Sequence, residues 1–81
     1  MKNIIKNYIN NLTLDEVKAF IEKGHYDICD DDAKIIFYYI KHYPDEILDD
    51  KKEIFEMFKK EVSDSTYQTV MKLCDKYKKM L

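Results

Sequence analysis

The stretch Asp30-Asp31-Asp32-Ala33-Lys34-Ile35-Ile36-Phe37-Tyr38-Tyr39-Ile40-Lys41-His42-Tyr43-Pro44 reads as a helix with both of its ends written into it. Three carboxylates in a row suit a helix start, where they cap free amides and complement the positive end of the macrodipole. Ala33, Ile36, Phe37, Ile40 and Tyr43 then recur at helical spacing and predict one apolar stripe. Pro44 stops the run, because its ring fixes φ and removes an amide donor.

The segments on either side follow the same grammar. Upstream, Tyr26 and Ile28 alternate in an extended link from His25 to Cys29. Gly24 before it is expected to end a helix in the left-handed conformation that Gly takes without a Cβ penalty. That second helix opens at Thr13-Leu14-Asp15-Glu16, a capping-box pattern, and carries Leu14, Val17, Phe20 and Ile21 inward. Ile4, Ile5, Tyr8, Ile9 and Leu12 predict a first helix over 2–11. Downstream, a short turn through Ile47-Leu48 leads to Asp50 and Glu53, a second capping-box candidate, and to a helix bearing Ile54, Phe55, Met57, Phe58 and Val62. Ser63-Asp64-Ser65 breaks it, and a last helix carries Tyr67, Val70, Met71, Cys74 and Tyr77. The expectation is one all-α domain over residues 1–81, a compact irregular bundle of four to five short helices. No heptad is sustained, and the stripes are broad and aromatic, which disfavours a long coiled coil.

Composition agrees. Hydrophobic residues are 46% and charged residues 37% of 81, with one Gly and one Pro, which disfavours both a disordered chain and a turn-rich β domain. No run approaches the ~20 apolar residues of a membrane span, and Met1-Lys2-Asn3-Ile4-Ile5-Lys6 lacks the pattern of a signal peptide. A cytoplasmic setting with Cys29 and Cys74 as free thiols is expected. All fourteen cations are Lys, so the chain has no bidentate Arg fork for guanine edges or phosphates. Charge is segregated: residues 1–29 are neutral, 30–50 hold two Lys against seven acids, and 51–81 hold eight Lys against five. Such polarity orients a partner or a second copy of the chain.

His25, Cys29, His42 and Cys74 match a zinc count, yet no CxxC or HxxxH knuckle is present, so no metal is expected. Asp27 with Asp30–Asp32 lacks the alternation, the central Gly and the closing Glu of a calcium loop. No nucleophile–base motif can be assembled from Ser63, Ser65, Thr66 or Cys29, so neither an enzyme nor a cofactor is expected. A helix that begins with three Asp repels phosphates, which disfavours nucleic acid as the partner. Tyr38 and Tyr39 are adjacent, hence about 100° apart on a helix, and both cannot centre one core stripe. Tyr38 points well away from the stripe while Tyr39 leans toward Ile36. A protein-binding face of Tyr38 and Tyr39 with Asp31, Lys34 and Lys41 as its rim is the reading favoured here, with an aromatic anchor inside a charged border.

Ile9-Asn10-Asn11-Leu12-Thr13 leading into Glu16-Val17, then Ala33-x-x-Ile36, Ile47-Leu48, Val62-Ser63 and the closing helix, follow an order that resembles a small uncharacterised family of helical proteins from low-GC Gram-positive bacteria. That resemblance implies a helical fold in a bacterial cytoplasm and assigns no site. Tyr38-Tyr39 among acids also resembles the inhibitory surface of bacteriocin immunity proteins, although Ile40 follows where the nuclease-directed subgroup has Pro. The expected function is a non-catalytic adaptor or regulator that binds another protein or itself. A nuclease immunity or inhibitor protein and a nucleic-acid accessory protein are the alternatives.

Overall fold

Six helices make up the computed structural model, which describes the backbone of residues 2–80 and the side chains of 4–76 and Lys79. They are α1 (Lys2–Asn11), α2 (Leu14–Lys23), α3 (Asp30–His42), α4 (Pro44–Leu48), α5 (Lys52–Glu61) and α6 (Asp64–Met80), and no strand occurs among the described residues. The count exceeds the expected four to five because Ile47-Leu48, read as a turn, belongs to a helix of 5 residues. Pro44 ends α3 as expected and also begins α4. Its fixed φ suits a first helical position, and Tyr43 serves as C-cap of one helix and N-cap of the next. Tyr77, placed on the α6 stripe by periodicity, lies outside the described side chains.

The α3 helix is the hub: α1, α2, α4 and α5 all pack on it, α4 also meets α5, and α6 leans on α5. The result is an all-α compact globule of 30 × 26 × 23 Å. Its tightest cluster joins Tyr39 of α3 to Ile54 and Phe58 of α5, with Ile35, Tyr43, Tyr67 and Val70 packed around it. The Tyr39 ring meets Phe58 edge-on at 5.3 Å, a geometry aromatic quadrupoles favour.

The buried face of α3 keeps Ala33, Ile36 and Tyr43 of the predicted stripe but is turned away from Phe37 and Ile40 toward Asp32 and Tyr39. Asp32, Ala33 and Tyr39 are buried, whereas Phe37 and Ile40 are only half-buried. A hub helix meets neighbours on several sides, so its burial spreads beyond one stripe. The helix also starts differently: Cys29 is the N-cap and makes no side-chain capping bond, so Asp30 occupies the first helical position rather than the cap.

Two helix ends correct the expected caps. Gly24 sits at φ −85°, in right-handed space, and His25 takes the left-handed conformation at φ 56°. His25 N donates to Glu22 O and Tyr26 N to Ile21 O, the paired bonds of a Schellman motif. Gly24 is required for a different reason. A Cβ there would stand 2.1 Å from Cε2 of Tyr26, whose ring stacks on Phe20 at 5.6 Å. At the end of α4, Asp50 takes φ 62°, with Asp50 N donating to Ile47 O and Lys51 N to Glu46 O. Asp50 therefore closes α4 and does not open α5, whose N-cap is Lys51 without a side-chain bond, so the Asp50/Glu53 capping box does not form.

Candidate protein-binding face

Helical geometry separates the two adjacent tyrosines. Tyr39 is 4% exposed, and its hydroxyl donates to a carboxylate oxygen of Glu61 at the end of α5. Burial first, then the Glu61 bond and charge, hold its phenol well above the ordinary tyrosine range, so it stays neutral. Tyr38 is 50% exposed. Its ring stacks on His42, one turn later, at 4.0 Å and 20° between planes, and meets Tyr43 edge-on at 6.3 Å. His42 is fixed in turn: its Nδ1 lies 3.0 Å from the carbonyl oxygen of Tyr38. A carbonyl only accepts, so Nδ1 carries a proton there.

The predicted rim divides. Asp31 and Lys34 are exposed and share the side of α3 that carries Tyr38, because spacings of seven and four return to one direction. Lys34, Ile35, Tyr38, Tyr39 and Glu61 line a shallow depression of about 350 Å³. Lys41 is committed elsewhere. Its Nζ donates to Asn10 O at 2.8 Å and lies 5.6 Å from the Phe37 ring, which ties α3 to α1. Tyr39, expected on the face, contributes only an edge to the depression, since burial against Phe58 leaves the rest of its ring in the core. His42 and Glu61 were missed. Their i+4 relation to Tyr38 was readable for His42, whereas Glu61 reaches the face only through the α3–α5 packing.

A second polar cluster joins the beginnings of α3 and α6. Oδ2 of Asp32 accepts from the Thr66 hydroxyl at 2.6 Å and from the Ser63 amide at 3.3 Å, with the Ser63 hydroxyl at 3.2 Å. Asp32 is 8% exposed and Thr66 0%. The Thr66 bond, followed by the Ser63 amide and hydroxyl and the Cys29 thiol, outweighs burial and holds the Asp32 carboxyl below its ordinary 3.8. The cluster is a tie between helices. Neither Cys29 nor Cys74 is in a disulfide, and no group of three His, Cys, Asp or Glu able to hold a metal occurs among the described residues. No described helix is long and apolar enough to cross a membrane. No protein-family model, curated protein or solved structure matches the chain.

Proposed function

We propose that this chain is a non-catalytic adaptor or regulator of a bacterial cytoplasm that binds another protein through the Tyr38 face of α3. The observation that carries the reading is the exposed Tyr38 ring held flat against His42. An aromatic side chain already fixed in one orientation loses little rotamer freedom on binding, and such residues dominate interface energetics. The depression beside it offers a seat for one apolar group of the partner, with Lys34 and Glu61 at its border. Asp30 and Asp31, exposed at the start of the same helix, favour a partner that presents cations. A nuclease-directed inhibitor is the narrower form of this reading, since a nuclease surface is basic.

The test is capture of the partner from native cytoplasm by the wild-type chain, followed by titration of the purified pair with Tyr38→Ala. The substitution is expected to weaken the complex by ~2 kcal/mol or more and to change folding stability by less than ~1 kcal/mol. A stability loss near ~3 kcal/mol would put Tyr38 among the residues that hold the fold, and an unchanged affinity would remove this face as the site.

A further inference from the structure

We propose a second site, independent of the Tyr38 face: a half-open apolar cleft between the helices that binds a neutral, largely hydrocarbon small molecule. The cavity measures about 610 Å³, within the ~300–1,000 Å³ usual for small-molecule pockets. Every helix except α5 contributes to its wall. Its position follows from the packing: α1 and α2 lean on α3, α6 leans on α5, and the space lies between those two sets. Ile36 and Ile40 of the hub helix form one side and Leu73 of α6 another, while Tyr8 and Phe20, 65% and 44% exposed, lead from it to solvent.

The lining chemistry selects the ligand. Among the described residues of its lining, twelve of fourteen are aliphatic or aromatic, and none is a Lys or His. The one carboxylate among these described residues, Glu16, is engaged by the Thr13 amide and hydroxyl, each at 3.1 Å from its Oε1. An anionic head inside would meet that carboxylate with no cation among the described lining residues to pair with, and burying an unpaired charge is costly. A neutral chain or ring system loses nothing there and gains the apolar contact that half-buried Ile, Leu and Val side chains otherwise yield to water. Walls drawn from five helices enclose a compact guest on several sides, which fits a small molecule better than the flat face of a second copy.

The full chain is titrated with N-phenyl-1-naphthylamine, a neutral fluorophore whose emission rises in apolar surroundings; the absence of Trp keeps the background low. Saturable one-to-one binding is expected, displaced by dodecan-1-ol and at least about tenfold less well by dodecanoate. Methyl spectra of the unmodified protein with dodecan-1-ol should shift Ile28, Ile36, Ile40 and Ile47, which line the cavity, more than Ile54, which lies in the α5 cluster on which Ile36 and Ile47 pack. Cys74→Phe, which fills the wall, should abolish binding, and Tyr38→Ala should leave it unchanged. If Cys74→Phe fails to fold, the methyl map decides on its own. Absence of saturation, or shifts centred on Ile54, overturns the site. Equal displacement by dodecanoate overturns the neutral ligand class. A probe signal that follows dimer formation on sedimentation would assign the cavity to a second copy and overturn the proposal.

Discussion

At the start of α2, four consecutive residues satisfy one another. The Thr13 hydroxyl accepts the Glu16 amide at 3.2 Å, and the Glu16 carboxylate returns to the Thr13 amide at 3.1 Å. At the start of α6 the first half of that exchange is repeated, with the Ser63 hydroxyl accepting the Thr66 amide at 3.2 Å. The third helical residue is now Thr, which has no carboxylate to send back. Asp32 supplies it from α3, 31 residues earlier in the chain, and takes the Ser63 amide. One capping box is therefore closed locally and the other is closed by the fold. The first stabilises a helix; the second makes the beginning of α6 depend on where α3 lies, and it buries a carboxylate to do so.

The largest expected difference between the two follows from that burial. Asp32→Ala leaves the Thr66 hydroxyl, 0% exposed, and the Ser63 amide without their acceptor. A cost of ~3 kcal/mol in urea denaturation is expected, the scale for breaking charge-assisted bonds at a buried site. A loss no greater than that of Thr13→Ala would show the α6 tie to be worth only a local cap.

Acid sharpens the same contrast. The Asp32 carboxyl is held below its ordinary 3.8 in the folded chain, so its contribution is fully present above about pH 4. It is lost as pH falls through the lower, folded value, because the unfolded chain takes up the proton first. Urea midpoints measured from about pH 6 down to about pH 2.5 should fall more steeply below pH 4 in the wild type than in Asp32→Asn. Equal slopes would mean that Asp32 contributes no proton linkage. Thr13→Ala, third in size, should cost ~1 kcal/mol through the unsatisfied Glu16 amide.

What the sequence disclosed divides along the same line. The Thr13 box, the Pro44 stop and the helical segments rest on residues within a few positions of each other, and their spacing is visible in the chain. Asp32 read as one of three similar acids, because its partners Ser63 and Thr66 lie on a helix whose docking no local pattern reveals. Tyr38 was legible as exposed from its angle on the helix. The partial loss of Tyr39 and Lys41 from the face was not, since Phe58 and Asn10 come from other elements. Gly24 misled for a related reason: a Gly near a helix end usually supplies the left-handed residue, but here its missing side chain accommodates the Tyr26 ring. His25 then carries the positive φ that the sequence assigned to Gly24.

The smallest predicted effect tests whether the three acids at the start of α3 are as different as their surroundings. Asp32 is buried and makes defined hydrogen bonds, whereas Asp30 is exposed at the first helical position. Cys29 occupies the cap, so Asp30 is one place too late for a capping side chain to fold back on the N2 or N3 amide. What remains to Asp30 is its charge beside the positive end of the helix, an interaction worth about 0.5 kcal/mol at an exposed site. Charge at a surface is screened by salt, and a hydrogen bond at a buried site is screened much less. Asp30→Asn should therefore cost about 0.5 kcal/mol at low ionic strength and close to nothing in about 1 M NaCl. Asp32→Asn should keep most of its larger cost in both. A salt-independent loss of ~1 kcal/mol or more at Asp30 would mean that its carboxylate makes a specific bond at the helix start, and that α3 begins one residue later, with Asp30 as its cap.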